Sequence, residues 1–431
     1  MIHSNLGINE KGNLTICGHD TVELAKEYGT PAYIMDEDLI RQNCRAYKNA
    51  LEANFGKNSM PLYASKAFSC KNIYKIANEE GIGIDVVSGG ELYTAFKAGF
   101  PMEKVFFHGN NKTNADIEFA LDCKIGYFVV DNTEELVALN EIAGNRGTEQ
   151  KILLRITPGI DPHTHKAVVT GNVDSKFGSA IVTGQAMEIV KHAISLPNID
   201  FCGIHCHIGS QIFECEPFTD AAEIMIKFIK QIKDETGVEI KILNLGGGMG
   251  VKYIEEDPSI DYAKNIGIIA KKIKGFAESN NIKMPIILME PGRSLVAAAG
   301  LTLYTVGSVK EIPDFTKYVS IDGGMPDNPR YALYQSLYTC VVANRANEKA
   351  DYTCTIAGRC CESGDLIAEN AKIAKPTKND ILAVLCTGAY NYSMASNYNR
   401  IPRPPVIMVS KNNKYIAVAR ESYEDLIRND L

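Results

Sequence analysis

The sequence predicts an α/β plus all-β chain. A (β/α)8 barrel of the TIM type is expected over residues 31–298, joined to a discontinuous, mostly-β domain made of residues 1–30 and 299–431. Three observations predict this. From Pro61 onward one unit recurs: a short apolar strand, a turn and an amphipathic helix. Eight such strands fit before residue 298. Near Ala299 the long helical patterns stop, and short strands separated by Gly, Pro and Asn take over. A doubly wound open sheet shares this periodicity, because alternation of strand and helix does not report closure.

The elements follow in order. Leu14–Gly18 reads as a hairpin fragment with nothing local to pack on, so it is expected to join the β domain. Pro31–Met35 reads as a strand, and Asp36 as the cap of a helix from about Leu39 to Phe55. Barrel strands are expected at Pro61–Ala67, Gly83–Ser88, Val105–Gly109, Tyr127–Asp131, Lys151–Pro158, Phe201–Gly209, Ile240–Gly247 and Pro285–Glu290. Helical patterns lie between them, as at Thr133–Ala143, Gln185–Ser195 and Ala221–Thr236. Beyond the barrel, strands are expected at Leu301–Val309, Tyr318–Asp322, Tyr352–Ala357, Ile381–Leu385, Val406–Val409 and Tyr415–Ala419, with a short helix near Tyr331–Tyr338.

Composition narrows the function classes. A formal net charge of -7, with 45% hydrophobic and 23% charged residues, is ordinary globular composition. It leaves no electrostatic footprint for nucleic acid or an anionic membrane. No apolar run approaches transmembrane length, and Met1-Ile2-His3-Ser4-Asn5 lacks signal-peptide features, so a cytoplasmic protein is expected. The 12 cysteines are irregularly spaced and read as reduced thiols. Neither His205-Cys206-His207 nor Cys360-Cys361 has zinc-ligand spacing, so no metal is expected.

Chemistry in such a barrel sits at the C-terminal ends of the strands. Those ends carry Lys66, Asp85, His108, His207 with Ser210, Gly246 to Gly250, and Glu290-Pro291-Gly292-Arg293. A lysine leaving a buried strand is expected to be partly buried, which favours a nucleophilic amine. The glycine run exposes successive backbone N–H groups suited to one phosphate. It is no Walker loop, and Val251 breaks the dinucleotide spacing. Arg293 can bond a phosphate or a carboxylate, and Glu290 can bond a ring nitrogen. An aldehyde-binding amine, a monophosphate cradle and a ring-nitrogen acid are the three handles of pyridoxal 5′-phosphate.

Matching motifs run nearly end to end: Tyr63-Ala64-Ser65-Lys66-Ala67, Ser175-Lys176-Phe177-Gly178, His205-Cys206-His207-Ile208-Gly209-Ser210-Gln211, Gly246-Gly247-Gly248, Glu290-Pro291-Gly292-Arg293, Cys361-Glu362-Ser363-Gly364-Asp365 and Gly388-Ala389-Tyr390. With these the chain resembles the fold-type III pyridoxal-phosphate decarboxylases, whose barrel is alanine-racemase-like. Within them it is similar to the branch that decarboxylates meso-2,6-diaminopimelate to L-lysine. Phe68 departs from the asparagine usual in that branch.

The resemblance implies roles. Lys66 holds the cofactor, His207 stacks on its ring, and Asp85 is an acidic neighbour. Ser210, Gly247, Gly248 and Arg293 hold the phosphate, Tyr390 adds a hydroxyl, and Gly292 belongs to the cofactor-binding set. Glu290 keeps the ring nitrogen protonated, where related racemases use arginine, so decarboxylation is implied over racemisation. Cys361 donates a proton. Arg330, Tyr334, Arg293 and Tyr390 bind the amino-acid substrate, and Glu362 takes its distal ammonium. A homodimer with shared active sites is implied as well. Decarboxylases acting on ornithine, arginine or carboxynorspermidine are the neighbouring alternatives, and Arg330 with Tyr334 speaks against the purely cationic ones. A non-catalytic cofactor-binding barrel is a further alternative, and the residues after 299 speak against it.

Overall fold

The computed structural model describes residues 2–160 and 174–431. The chain divides into two compact units: Asn43–Gly250 with Ser259–Gly292, and Met1–Gln42 with Val251–Pro258 and Arg293–Leu431.

The first unit is a closed parallel barrel. Its strands are Met60–Ala64, Gly83–Val86, Val105–Phe107, Tyr127–Val130, Gln150–Thr157, Ile199–His205, Ile242–Asn244 and Ile286–Met289. Each pairs with the next, and Leu288 and Met289 pair back onto Met60 and Pro61, so no edge is left open. The interior is filled by side chains: Leu62, Phe106, Val129, Leu153, Cys202, Ile242 and Leu288 form one buried cluster. The strands expected to run to Ala67, Ser88, Gly109, Gly209 and Gly247 leave the ladder at Ala64, Val86, Phe107, His205 and Asn244. Glycines mark several of these exits, with φ of 122° at Gly109, 155° at Gly209 and 68° at Gly246. Lys66, His108, His207, Gly246 and Glu290 therefore sit on the loops just past the strand ends, while Asp85 stays within Gly83–Val86.

One of these loops is tied down by a buried ion pair. Lys112 donates to Glu135 at 2.7 Å, to the Val129 carbonyl at 2.9 Å and to the Gly109 carbonyl at 3.0 Å. Both partners are buried, and burial pushes the lysine down and the acid up from their ordinary ranges. Glu135→Leu leaves a buried cation unpaired and is expected to cost about 3–5 kcal/mol in urea denaturation. Lys112→Met added to it should restore most of the loss; no restoration would show that Glu135 acts by packing alone.

The second unit is built on sheet. Its strands lie in the order Leu366–Ile373, Tyr352–Ala357, Lys317–Ile321, Gly300–Glu311, Ala32–Asp36, Val406–Ser410 and Asn413–Val418. Ile381–Leu385 joins Gly300–Glu311 to Cys340–Val342. The strand Ala32–Asp36, expected among the barrel residues, instead pairs with Gly300–Leu303 and Val406–Val409. Every residue of it is buried, and a fully buried strand has the same apolar pattern in a barrel and in a sheet centre. Asp36 caps the following helix, accepting from the Leu39 N–H at 3.1 Å. At the N-terminus Leu14 and Ile16 pack with Ala32, Leu301, Leu385 and Ile407, so the hairpin fragment finds its core in this unit.

Leu366–Ile373 and Cys340–Val342 were not expected as strands. Leu366–Ile373 carries Ala, Glu and Asn, which disfavour strands in isolation, and it pairs with Tyr352–Ala357 through shifts of register. The helix expected over Tyr331–Tyr338 spans Arg330–Tyr334, stopped by Gln335 at a φ of 51°.

Candidate active site

In the barrel unit the functional side chains follow the strand ends. Lys66 lies in a single 3-10 turn after Met60–Ala64, flanked by buried Ser65 and Ala67. Its own side chain is exposed rather than partly buried as expected, because the strand releases the chain before the lysine is reached. Gly292 lies close to that strand: a Cβ there would stand 2.8 Å from Ala64 Cβ.

Glu290 meets three polar side chains. Its Oε1 accepts from Asn244 Nδ2 at 2.7 Å and lies 2.8 Å from His108 Nε2, while Oε2 lies 3.1 Å from His205 Nε2. Burial alone would raise this carboxyl; the two imidazoles outweigh burial and hold it well below the ordinary range. Asp85 shows the opposite balance. It is buried, its Oδ1 accepts no hydrogen bond among the described residues, and burial with the Glu290 charge pushes it well above the usual range.

The glycine run joins these groups. Gly246 N–H donates to Asn244 Oδ1 at 2.9 Å, and Gly247 N–H to His207 Nδ1 at 3.3 Å. Burial, then the Lys66 charge, keeps the His207 imidazole well below its ordinary range, so it is neutral. Ile212 and Gly248–Gly250 bond backbone to backbone, which sets Ser210 beside the run. A Cβ at Gly247 would stand 2.0 Å from the Glu290 carbonyl oxygen, and one at Gly248 2.2 Å from that of Gly209. Backbone neighbours cannot yield as a flexible side chain can, so only glycine fits.

The second unit gathers another set. Arg293, buried on the one-turn helix Arg293–Val296, donates to the Tyr253 hydroxyl at 2.7 Å. Its guanidinium carbon stands 4.8 Å from the Tyr390 ring centre. Arg330, also buried, stands 5.2 Å from the same ring and 4.8 Å from that of Tyr334. Arg330 Nε has no hydrogen-bond partner among the described residues. Tyr390 holds a φ of 64°, a left-handed conformation that a tyrosine rarely adopts. Cys361 and Glu362 are not drawn into this set. Both are exposed on the turn between Tyr352–Ala357 and Leu366–Ile373, with Cys361 N–H bonded to Asn399 Oδ1 at 2.8 Å.

Residues 37–297 match the family model of the pyridoxal-dependent decarboxylases, specifically their pyridoxal binding domain. The chain belongs to this family. It is 49% identical over 432 residues to the diaminopimelate decarboxylase of Halalkalibacterium halodurans, spanning 100% of this chain and 98% of that one. It is 46% identical to the diaminopimelate decarboxylase of Bacillus subtilis, spanning 100% and 98%. A crystal structure of the M. jannaschii diaminopimelate decarboxylase with L-lysine matches at a TM-score of 0.93 and 37% identity, over 99% of this chain and 98% of that one.

As a member of the family this decarboxylase uses pyridoxal phosphate, and its residues fit that group. The barrel unit offers an exposed amine, a buried anionic carboxylate, a buried Asp85 oxygen without a hydrogen-bond partner among the described residues, and a glycine run with no room for side chains at Gly247 and Gly248. Four engaged residues have no role in the sequence reading: His108, His205, Asn244 and Tyr253. The available signal was polar residues closing otherwise apolar strands, since His205 and Asn244 stand opposite each other at the last rung of their ladder.

Proposed function

We propose that this decarboxylase converts meso-2,6-diaminopimelate to L-lysine and carbon dioxide, the last step of lysine synthesis. The observation that carries the substrate is Arg330: a buried guanidinium set against Tyr334 and Tyr390 with its Nε unpartnered among the described residues, as suits a site for a distal carboxylate. Purely cationic amino acids have no group for it. The full-length similarity to diaminopimelate decarboxylases supports the same reading.

Bound pyridoxal phosphate supplies an aldehyde for amines and a ring that accepts the electron pair left when carbon dioxide departs from Cα. In this reading Lys66 is the amine that holds the cofactor. Glu290 faces the ring nitrogen, and neutral His207 lies against the ring. Gly247, Gly248, Ser210 and Arg293 hold the phosphate with the Tyr390 hydroxyl, Gly292 belongs to the cofactor-binding set, and Asp85 is an acidic neighbour. Arg330, Tyr334, Arg293 and Tyr390 orient the substrate's carboxylates. Glu362 takes the distal ammonium, and Cys361 delivers the proton to Cα.

Cys361 and Glu362 are exposed on their own chain, which suits residues that complete a site on a second copy. The proposed assembly is therefore a homodimer in which each site takes Lys66 from one subunit and the partner's Cys361. A cytoplasmic location belongs to the same reading, and cell fractionation tests it.

The experiment is an assay of purified protein with pyridoxal phosphate. Carbon dioxide and L-lysine should appear in equal amounts from meso-diaminopimelate, and turnover of L-ornithine should be lower by orders of magnitude. Faster release of carbon dioxide from ornithine than from diaminopimelate would exclude the assignment.

A further inference from the structure

We propose that His205 and His108 are positioning residues for Glu290: two neutral imidazoles that hold it as the anion facing the cofactor's ring nitrogen, so that the proton rests on the ring. The proposal builds on the decarboxylase reading and assigns a role to residues that reading leaves unused.

Geometry carries it. His108 follows the strand Val105–Phe107, with its backbone N–H fixed to the Val86 carbonyl at 2.8 Å. His205 ends the strand Ile199–His205, in register with Asn244. The two rings meet edge to face, 4.8 Å between centres and at 73°. That crossing turns each Nε2 toward a different oxygen of Glu290, at 2.8 Å from His108 and 3.1 Å from His205. His108 Nε2 is close to Oε1 without the alignment of a full hydrogen bond, so Asn244 and His205 are the better-directed donors. Asn244 cannot turn away, because its Oδ1 is occupied by the Gly246 N–H.

The electrostatics agree. Burial lowers both histidines, His205 to about 4, so each is a neutral ring with a single N–H. For His205 the hydrogen bond to Glu290 Oε2 assigns that N–H to Nε2. Asp85 is an internal comparison. It is buried in the same unit without such donors and is pushed the opposite way, toward the neutral acid. A neutral Glu290 would offer its own proton to an unprotonated ring, and that ring is a poor electron acceptor. A Glu290 that accepts from Asn244 and His205, with His108 Nε2 close by, is a weak base, so the shared proton stays on the ring nitrogen.

The test uses holoenzyme loaded with pyridoxal phosphate carrying 15N at the ring nitrogen. Wild type, His205→Gln and His205→Leu are compared by 15N NMR without substrate, and by kcat per bound cofactor. Wild type and His205→Gln, which keeps an N–H donor, should show a protonated nitrogen. His205→Leu should shift the signal toward the unprotonated form and lower kcat per loaded site roughly 100-fold. If His205→Leu does not fold, His108→Leu is read in the same way, with a smaller shift in the same direction expected. A nitrogen still protonated in the leucine variant, with kcat per loaded site within about threefold of wild type, overturns the proposal. So does one chelator-removable metal ion per chain bound by His108, His205 and Glu290. The nitrogen signal is read without substrate, so a wild type that leaves diaminopimelate untouched overturns the substrate assignment alone.

Discussion

Chains carrying Lys66→Ala and chains carrying Cys361→Ala should each be almost inactive, yet a reassembled mixture of the two should recover about a quarter of wild-type activity. Lys66 belongs to the barrel unit and Cys361 to the sheet unit, where it stands exposed beside Glu362. In the proposed dimer each site pairs Lys66 of one subunit with the partner's Cys361. Two-fold symmetry makes the sites equivalent, so a mixed dimer holds one site with both defects and one with neither. Random reassembly makes about half of the dimers mixed, and half of their sites are intact, which sets the recovered fraction. Equal amounts of the two variants are dissociated, reassembled and assayed, with mixed dimers confirmed by mass. Mixed dimers without activity would place both residues in one chain's site and refute sharing.

Arg330→Met should lower kcat/KM for meso-diaminopimelate by an amount worth about 2–5 kcal/mol. Arg330 is buried against Tyr334 and Tyr390, and its Nε has no partner among the described residues. A distal carboxylate bound there loses its cation in the variant while remaining desolvated. L-Lysine lacks this carboxylate, so any decarboxylation of it should lose much less. The two kcat/KM values are measured side by side. Equal losses on both compounds would make Arg330 a structural residue that ties down its loop.

The legible and illegible parts of this molecule differ in kind. The eight barrel strands were readable because each is a short apolar run set off by a helix with its own periodicity. Ala32–Asp36 was readable as a strand but not as a sheet strand, since its five buried residues suit either environment. Leu366–Ile373 was unreadable, because its stability comes from pairing with Tyr352–Ala357 rather than from its own composition. In the site, Lys66, the glycine run and the Glu290–Arg293 stretch stood out as residue types at strand ends. His205 and Asn244 did not, because an isolated polar residue within an apolar strand gives no sign of what it faces.

The sequence alone therefore determined the strand–helix alternation, the sheet-rich second unit and the residue types suited to the cofactor, all of which rest on local pattern, whereas closure of the barrel rests on Leu288 and Met289 pairing with Met60 and Pro61. Tertiary structure alone decided the protonation logic. Asp85 and Glu290 are both carboxyls at barrel strand ends, alike in sequence terms. One is raised and the other held low because only Glu290 meets His108, His205 and Asn244, which strands distant along the chain bring to it. A buried acid's charge depends on which donors surround it in space, and one chain's residue order does not carry that information.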